Sequence, residues 1–463
     1  MQKNKFNTGY LFTISMVSAL GGLLFGYDWV VIGGAKPFYE LYFGISNSPG
    51  MQGWAMSSAL LGCLVGAVLS GVLSDKYGRK RLLIFAAFLF TLSAVGTGAV
   101  NNFTPFLVYR ILGGIGIGLA SNLSPMYIAE IAPAQMRGRY VSLNQLTIVL
   151  GILGAQLANW LIADTVPANF APADILASWN GQMGWRYMFW AEVIPAGLFF
   201  LLMFFVPESP RWLASNSSES KVKGILSKIG GNEYADTEYA NIKATIAADT
   251  SSMNLKELFQ PKLRKILTIG IVLAVFQQWC GTNVIFNYAQ EIFTAAGFGV
   301  SDILFNIVIT GSVNVVFTFV ALFTVDKLGR KPLLMIGAGG LTLIYILIGS
   351  AYFFQLSGWM LLVLVLLAIA CYAMSLAPLV WVVISEIFPN RIRGAAMAVA
   401  TFALWAACFL LTYTFPFLNN ALGASGTFWL YGGICLAGFL FIYKNLPETK
   451  GKTLEEIEKE MVG

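Results

Sequence analysis

The stretch Asp75-Lys76-Tyr77-Gly78-Arg79-Lys80 occurs a second time, almost unchanged, as Asp326-Lys327-Leu328-Gly329-Arg330-Lys331. Each copy directly follows a long apolar run, the first near residues 52–74 and the second near 301–325. Basic residues mark the cytoplasmic ends of membrane-crossing helices, and a glycine permits a tight turn there. A repeat of this kind, at equivalent places in two parts of the chain, predicts a duplicated membrane protein.

Two further motifs recur in the same order. Glu130 precedes Arg137 by seven residues, and Glu386 precedes Arg393 by the same interval. A Pro-Glu pair closes one apolar run at 207–208 and another at 447–448. Duplicated halves that enclose a site at the membrane midplane are the usual architecture of secondary transporters. We therefore expect two structurally related halves.

The composition of the chain requires a membrane. Of its 463 residues, 57% are hydrophobic and only 11% are charged, whereas soluble domains carry about 25% charged residues. The mean hydropathy is +0.71. The sequence predicts an all-α protein of twelve transmembrane helices in two pseudo-symmetric six-helix bundles, and not a soluble enzyme. The runs long enough to span lie near 10–32, 52–74, 82–100, 104–129, 140–163, 186–206, 266–293, 301–325, 332–354, 358–387, 393–417 and 426–445.

The domain organisation follows from these runs. We expect an N-terminal bundle (1–206), a cytoplasmic linker with short helices (207–265), a C-terminal bundle (266–446) and a cytoplasmic tail (447–463). All Lys and Arg residues except Lys36, Arg110 and Arg186 fall on the side that carries both termini. Positive loops stay in the cytoplasm. Both termini are therefore predicted to be cytoplasmic, in the plasma membrane, which would be the inner membrane of a bacterium.

Several classes of function are excluded by what the sequence lacks. There is no histidine, no nucleophile–base pair and no phosphate-binding loop, so we expect neither an enzyme nor a cofactor. The five cysteines lie within apolar runs without the spacing of metal ligands. The net charge of +6 is explained by the basic loops and does not indicate nucleic-acid binding. No cleavable signal peptide is predicted.

The chain resembles the sugar porters of the major facilitator superfamily, and most of all bacterial xylose–proton symporters and the related glucose transporters. The resemblance runs from the first span to the tail. The segments that carry it are Gly21 to Asp28, Gly71 to Lys80, Pro207 to Trp212, Gln277-Gln278 and Pro447 to Gly451.

Three ionisable residues lie within predicted spans and away from their ends: Asp28, Arg110 and Glu192. Charges at such depth are costly and mark functional sites. We place each about six residues from the outer end of its span, which at ~1.5 Å per residue is ~9–10 Å below the outer surface. They form either a permanent ion pair that fixes helix packing or a proton switch, in which protonation of Asp28 releases Arg110 to Glu192.

The resemblance favours the switch. In that family an Asp at the position of Asp28 is associated with proton coupling, whereas facilitative glucose carriers have Asn there. It implies the import of a monosaccharide, pentose or hexose, by proton symport in a lipid bilayer, through a chain that works as a monomer. A proton-independent uniporter and a non-transporting sugar sensor remain as alternatives.

A sugar site needs amides, which both donate and accept hydrogen bonds, and aromatic rings on which the sugar ring stacks. A polar amide in a span also serves merely to bind another helix. The resemblance matches several such residues to sugar-contacting positions. The predicted binding residues are Phe25, Gln145, Gln277, Gln278, Asn283, Asn287, Asn314, Trp381 and Trp405.

Three positions depart from the family pattern. Ile152 stands where the xylose symporter has Gln, Asn287 where the family usually has Tyr, and Leu404 where Gln or Asn is common. The edge of the pocket therefore differs from that of either relative, and the preferred sugar stays open.

The charged motifs at the helix ends serve either topology alone or gating. In the second case, ion pairs on the cytoplasmic side hold the halves together when the protein opens outward and break when it opens inward. The predicted gating residues are Asp75, Arg79, Glu130, Arg137 and Glu208 in the first half, and Asp326, Arg330, Glu386, Arg393 and Glu448 in the second.

Overall fold

The structure is a computed structural model that describes residues 6–167, 169–248, 260–356, 358–388 and 393–450. Within these ranges the regular structure is helical. The helices of the first half are α1 (Thr8–Tyr42), α2 (Pro49–Tyr77), α3 (Arg79–Ala99), α4 (Phe103–Ile131), α5 (Arg137–Ile162), α6 (Pro172–Ala177), α7 (Trp185–Trp190) and α8 (Val193–Met203). The linker contains α9 (Pro210–Asn216) and α10 (Glu219–Ala248). The helices of the second half are α11 (Pro261–Trp279), α12 (Thr282–Asn287), α13 (Ala289–Ala295), α14 (Val300–Leu328), α15 (Arg330–Phe353), α16 (Gly358–Ala373), α17 (Leu376–Ile387) and α18 (Arg393–Asn445).

These helices form the twelve spans that the sequence predicts. Eleven described helices are long and apolar enough to cross a membrane. The longest of them, α18, contains Gly423 in a left-handed conformation (φ 66°), which divides it into the eleventh and twelfth spans. Because spans alternate in direction, both described ends of the chain lie on one face. We call it the terminal face, and the other the opposite face.

Three spans are interrupted where the sequence analysis expected single runs. The sixth begins with a π-helical turn at Asn180–Gly184 and turns again between α7 and α8. The seventh breaks at Gly281, whose φ of 88° ends the α-helical hydrogen-bond pattern. The tenth breaks at Ser375, between α16 and α17. Interrupted helices leave backbone groups free to line a site at the membrane midplane.

Close packing within the first half depends on small residues. A Cβ added to Gly62 of α2 would lie 2.1 Å from the Ile111 carbonyl oxygen of α4. One added to Gly114 of α4 would lie 1.8 Å from the Ala59 carbonyl oxygen of α2. Small residues allow helix backbones to approach closely where no hydrophobic effect drives helices together. These glycines therefore fix α2 against α4.

Several contacts join the two halves toward the opposite face. Trp54 of α2 packs on Tyr413 of α18, with ring centroids 5.5 Å apart. Trp160 of α5 packs on Phe305 of α14 at 5.7 Å. The Val166 N–H donates to Ser301 Oγ across the same seam at 2.9 Å. The halves are thus closed against each other at this face.

The linker packs against the terminal face. Its helices α9 and α10 share a small apolar core around Val222 and Leu226, and α10 bends at Gly231 (φ 82°). The Asn7 N–H donates to the Ile229 carbonyl oxygen at 2.8 Å, which joins the chain start to the linker. The short helices that the sequence predicts in this linker are α9 and α10. The tail beyond residue 450 lies outside the described residues.

Candidate functional site

The intramembrane charges are centred on an ion pair between α1 and α4. Arg110 Nη1 pairs with Asp28 Oδ1, and Arg110 Nη2 also donates to the Asp28 carbonyl oxygen at 3.2 Å. Both residues are 1% exposed. A buried ion pair is stable only when its geometry offsets the desolvation of both charges. Two bonds from one guanidinium to one residue supply that geometry.

Glu192 lies beside this pair without joining it. It occupies the turn between α7 and α8 and is 2% exposed. Phe189, three residues earlier, places its ring 5.7 Å from the Arg110 guanidinium carbon. Within the described ranges, Glu192 Oε1, Asp28 Oδ2 and Arg110 Nε are buried without a hydrogen-bond partner. The arrangement therefore has unused hydrogen-bonding capacity at all three predicted residues.

A glycine of α4 makes room for the free Asp28 oxygen. A Cβ on Gly113 would lie 2.7 Å from Asp28 Oδ2 and 2.4 Å from Ser93 Oγ of α3. Both distances are too short for a real side-chain atom. The absence of a side chain at 113 thus permits the Asp28 carboxylate to occupy its position.

The structure differs from two predictions about charged residues. Helix α1 continues to Tyr42, so Asp28 lies fourteen residues before its end and not six. Lys36 and Arg186 were expected on the outer side of the membrane, but they lie inside helices and are 1% and 6% exposed. Hydropathy alone does not predict the burial of these two residues. They can be buried because the charged group of each is paired within the protein. The Arg186 guanidinium, for example, donates to the Gly98, Val100 and Gln182 carbonyl oxygens at 2.7–3.0 Å.

Three of the predicted amides meet at the break in the seventh span. Gln277 Nε2 donates to the Ala377 carbonyl oxygen of α17 at 3.0 Å and thereby joins two interrupted spans. Asn283 Nδ2 donates to Gln278 Oε1, across the turn at Gly281. The left-handed glycine therefore brings side chains together that a continuous helix would direct apart.

Aromatic rings from both halves form a cluster. Phe25 of α1 and Trp405 of α18 have centroids 5.8 Å apart, and Trp29 lies 5.9 Å from each of them. The Trp405 indole Nε1 is buried without a hydrogen-bond acceptor in the described part of the chain. Trp29 was not predicted, although its position one turn after Phe25 was a usable signal.

The remaining predicted binding residues are placed separately. Gln145 and Trp381 are half-buried, whereas Asn287 and Asn314 are buried. The side-chain contacts found among the described residues do not join these four to the amide or aromatic cluster. Of the departing positions, Ile152 is half-buried and Leu404 is buried.

Gln156 is a second residue that the sequence analysis missed. It is 1% exposed, and neither atom of its amide has a partner among the described residues. A Cβ on Gly311 of α14 would lie 1.8 Å from Gln156 Oε1, so the amide of one half abuts the backbone of the other. It follows Ile152 by one helical turn, which places the two on the same face of α5.

At the terminal face, the repeated motifs form a network in the first half. Arg79 Nη2 donates to Glu130 Oε1 at 2.9 Å, and Ser209 Oγ donates to Glu130 Oε2 at 2.5 Å. Glu208 accepts the backbone N–H groups of Arg79 and Lys80 at 3.0 Å, at the N-terminus of α3. A carboxylate is well placed there because unpaired N–H groups and the helix dipole favour negative charge. Asp75 contributes a weak pair with Arg79 at 3.5 Å and is largely exposed.

The second half repeats this network. Arg330 Nη2 donates to Glu386 Oε1 at 3.2 Å, and Thr449 Oγ donates to Glu386 Oε2 at 2.6 Å. Glu448 accepts the N–H groups of Arg330 and Lys331 at the start of α15. Partial burial raises the pKa of Glu448, but bonds from the backbone N–H groups of Lys450, Arg330 and Lys331 outweigh it and hold that pKa below its usual value.

The predicted gating pairs differ from expectation in two respects. The described pairs join residues of the same half, and they are formed while the opposite face is closed. Glu208 and Glu448 bind helix N-termini through backbone groups and not through an arginine side chain. Arg137 is exposed and has no ion pair within the described ranges. The side chains of Asp326 and Arg393 lie outside the described residues.

Comparison with known proteins shows the family to which this duplicated helical chain belongs. A family model described as "Sugar (and other) transporter" matches residues 14–461. The chain belongs to this family. Members of the sugar transporter family are integral membrane transporters of the major facilitator type, so the protein is a transporter and not an enzyme.

Its relatives match along almost their entire length. The D-xylose-proton symporter of Escherichia coli (strain K12) is 41% identical, over 98% of this chain and 96% of its own. The arabinose-proton symporter of Bacillus subtilis (strain 168) is 40% identical, over 97% and 95%. The inward-open structure of the E. coli xylose transporter superposes with a TM-score of 0.84 at 40% identity, covering 97% of this chain and 100% of the other.

Proposed function

We propose that the protein imports a monosaccharide, a pentose or a hexose, together with a proton. Relatives named as proton symporters for xylose and arabinose support the substrate class and the coupling. A glucose transporter of Staphylococcus epidermidis, 35% identical over 100% of this chain and 98% of its own, keeps hexoses within that class. The structural observation that most supports proton–sugar symport is the buried Asp28–Arg110 ion pair. It lies one helical turn from Phe25 of the aromatic cluster.

The position of these residues on α1 explains how coupling arises. Phe25 contacts Trp405 of the other half, while Asp28 contacts Arg110 of its own half. A sugar that inserts between the halves at Phe25 moves α1 and disturbs the pair. Protonation of Asp28 removes the charge that holds Arg110, and the free oxygen of Glu192 then becomes its acceptor. Sugar and proton thereby act on one rigid element.

We assign the sugar contacts to the residues that the halves present to each other. Gln277, Gln278 and Asn283 supply amides at the broken seventh span, and Phe25 and Trp405 supply ring faces. The further proposed contacts are Gln145, Asn287, Asn314 and Trp381. Two amides that exchange one hydrogen bond have donors and acceptors left for hydroxyl groups.

The terminal face completes the proposed cycle. Each charged network keeps the helix ends of its own half together, while the exposed Arg137 is available to pair across this face when it closes. We place this face, with both termini, in the cytoplasm of the cell that bears the protein in its plasma membrane, because it carries the basic loops. The protein acts there as a single chain in the lipid bilayer.

Uptake by the purified protein in proteoliposomes tests the proposal. Radiolabelled xylose, arabinose, glucose and galactose are offered with an inward proton gradient, and again without it. Accumulation of at least one sugar above its external concentration, abolished by a protonophore, is expected. Equilibration that is insensitive to the gradient would establish a uniporter, and no movement of any sugar would remove the sugar assignment.

A further inference from the structure

Lys36 lies buried near the opposite face, between carboxylates from both halves. Its Nζ is 2.7 Å from Glu40 Oε1, one turn further along α1, and it forms a second ion pair with Glu291 of α13. Lys36 and Glu40 are 1% and 4% exposed, whereas the Glu291 side chain is 23% exposed. One ammonium group thus has one partner in its own half and another in the other half.

The neighbouring residues hold Glu40 within the first half and add a second contact between Lys36 and the second half. Gln52 Nε2 of α2 donates to Glu40 Oε2 at 3.3 Å and to the Ser46 carbonyl oxygen at 2.8 Å. In the second half, the Tyr288 ring lies 5.6 Å from Lys36 Nζ, and its hydroxyl donates to the Thr412 carbonyl oxygen at 2.6 Å. Glu40 therefore stays with Lys36 when the halves move, and Glu291 does not.

Opening at the opposite face must separate this site. A Cβ on Gly33 would lie 2.8 Å from the Phe286 carbonyl oxygen, so α1 and α12 are in direct contact one turn before Lys36. Glu291 borders a polar cavity of about 300 Å³, lined also by Ser46, Asn47 and Asn420. Water that enters on opening reaches Glu291 through this cavity.

The energetics explain why Lys36 has two partners. An ammonium group left buried and unpaired is destabilising, because nothing offsets its desolvation. A lysine paired with Glu291 alone would suffer this cost whenever the halves part. Glu40 removes it, because it pairs with Lys36 in either state. Glu291, released into a polar cavity, is solvated by water.

We propose that Lys36 is a positioning residue of the transport cycle, which pairs with Glu291 to hold the halves closed at the opposite face and retains Glu40 when they separate. The inference rests on the alternating access of the proposed function but does not require proton coupling. It assigns opposite effects to the two carboxylates. Loss of Glu291 favours the open state, whereas loss of Glu40 favours the closed state.

Pulsed electron paramagnetic resonance measures these effects directly. Spin labels are attached at Thr165→Cys and Ala295→Cys, exposed positions of the two halves, after Cys371→Ser removes the partly exposed native thiol. The full-length protein is measured in lipid nanodiscs as three single variants, Lys36→Met, Glu291→Gln and Glu40→Gln. A double variant combines Lys36→Met with Glu291→Gln. Glu219→Gln, on the exposed surface of α10, is the matched control.

Long distances between the two spin labels report the state that is open at the opposite face, and short distances report the closed state. Lys36→Met and Glu291→Gln are each expected to raise the ratio of long to short distances at least about fivefold. The double variant should rise no further, because both changes remove the same pair. Glu40→Gln should lower the ratio, and Glu219→Gln should leave it unchanged. Equal distributions in all variants, or a shift of the same sign for Glu40→Gln and Glu291→Gln, would overturn the proposal. These distances remain measurable even if the wild type moves no sugar, so the two hypotheses fail separately.

Discussion

Asp28 is bound through one carboxylate oxygen only. Arg110 takes Oδ1, while Oδ2 is buried without a partner in the described structure, next to the space left by Gly113. A carboxylate in this position has a free site for a proton without first breaking its ion pair. The proposed switch depends on this one-sided contact, since a fully satisfied carboxylate would favour a permanent pair.

Replacement of this carboxylate is expected to separate coupling from exchange. Asp28→Asn keeps the size of the side chain but cannot carry a proton, so gradient-driven accumulation should fall to equilibration, while counterflow of preloaded sugar continues. Both are measured in proteoliposomes with the sugar that the wild type prefers. Asp164→Asn, an exposed residue of the same half, is the control. Undiminished accumulation by Asp28→Asn would contradict the role of this residue.

The amides at the broken seventh span should contribute directly to affinity. Losing one buried hydrogen bond to a sugar hydroxyl costs ~1–3 kcal/mol, or roughly tenfold to a hundredfold in affinity. Gln278→Ala and Asn283→Ala are each expected to weaken binding by this amount, measured by calorimetry. Because the two side chains share a hydrogen bond, the double variant should lose less than the sum of the two.

An exposed amide provides the comparison for this prediction. Asn216→Ala, in α9 on the surface of the linker, should bind sugar as the wild type does. Affinities of Gln278→Ala and Asn283→Ala within twofold of wild type would exclude direct contact.

For single residues, the sequence predicted which side chains are functional better than it predicted what they contact. Asp28, Arg110 and Glu192 were predicted because charges in apolar runs are rare and costly. The burial of Lys36 and Arg186 was not predicted, because hydropathy does not show that a charge is paired inside a helix. Gln156 and Trp29 were missed, since which face of a helix meets the other half depends on packing.

Among the helices, the break at Gly281 determines the geometry of the amide cluster. Gly281→Ala forces a side chain into a left-handed backbone, which costs about 1–2 kcal/mol, and places its Cβ 2.8 Å from the Tyr431 ring. We expect at least a tenfold loss of sugar affinity and a lower melting temperature. Calorimetry and a thermal shift assay measure the two effects.

Gly297→Ala is the matched control for this change. Its φ is 89°, but no atom lies within 4 Å of the added Cβ, so it reports the backbone cost alone. Its melting temperature should fall slightly and its sugar affinity should stay the same. Equal affinity losses in the two variants would show that the position of the break is not what matters.

The charged networks act on the helix ends of their own half. Glu130→Gln weakens the charge-assisted bond from Arg79 and leaves a buried guanidinium poorly paired, at a cost of about 1.5–3 kcal/mol. The melting temperature should fall by several degrees, while the rank order of transported sugars stays unchanged. Arg139→Ala, an exposed change on the same face, should alter neither. A changed sugar order with an unchanged melting temperature would place Glu130 in the binding site.

The elements themselves were largely predictable from the sequence. Apolar length identified every span, and the repeated motifs identified their ends. The breaks at Gly281, at Ser375 and before Glu192 were not predicted, because each apolar run continues through them and the breaks depend on tertiary contacts. The extension of α1 to Tyr42 was missed, since its last turns include Lys36 and Glu40, which lower the local hydropathy.

For the whole molecule, the repeated motifs predicted two halves, but they did not predict at which face of the membrane the halves are closed. The structure is closed at the opposite face through Trp54–Tyr413, Trp160–Phe305 and Lys36–Glu291. It superposes on a relative in its inward-open conformation. Which face is closed depends on a small free-energy difference between two packings, and a sequence pattern carries no signal for such a balance. Membership of the family establishes the architecture. For the protein to open at the opposite face, these three contacts must break.

The most direct test of proton–sugar symport is the movement of protons when sugar is added. Proteoliposomes with the terminal face inside are suspended in weakly buffered medium without any imposed gradient, and external pH is recorded on addition of the preferred sugar. The account predicts an immediate alkalinisation that scales with sugar uptake, disappears with a protonophore and is absent in Asp28→Asn. Sugar uptake by the wild type with no change in external pH would contradict proton–sugar symport.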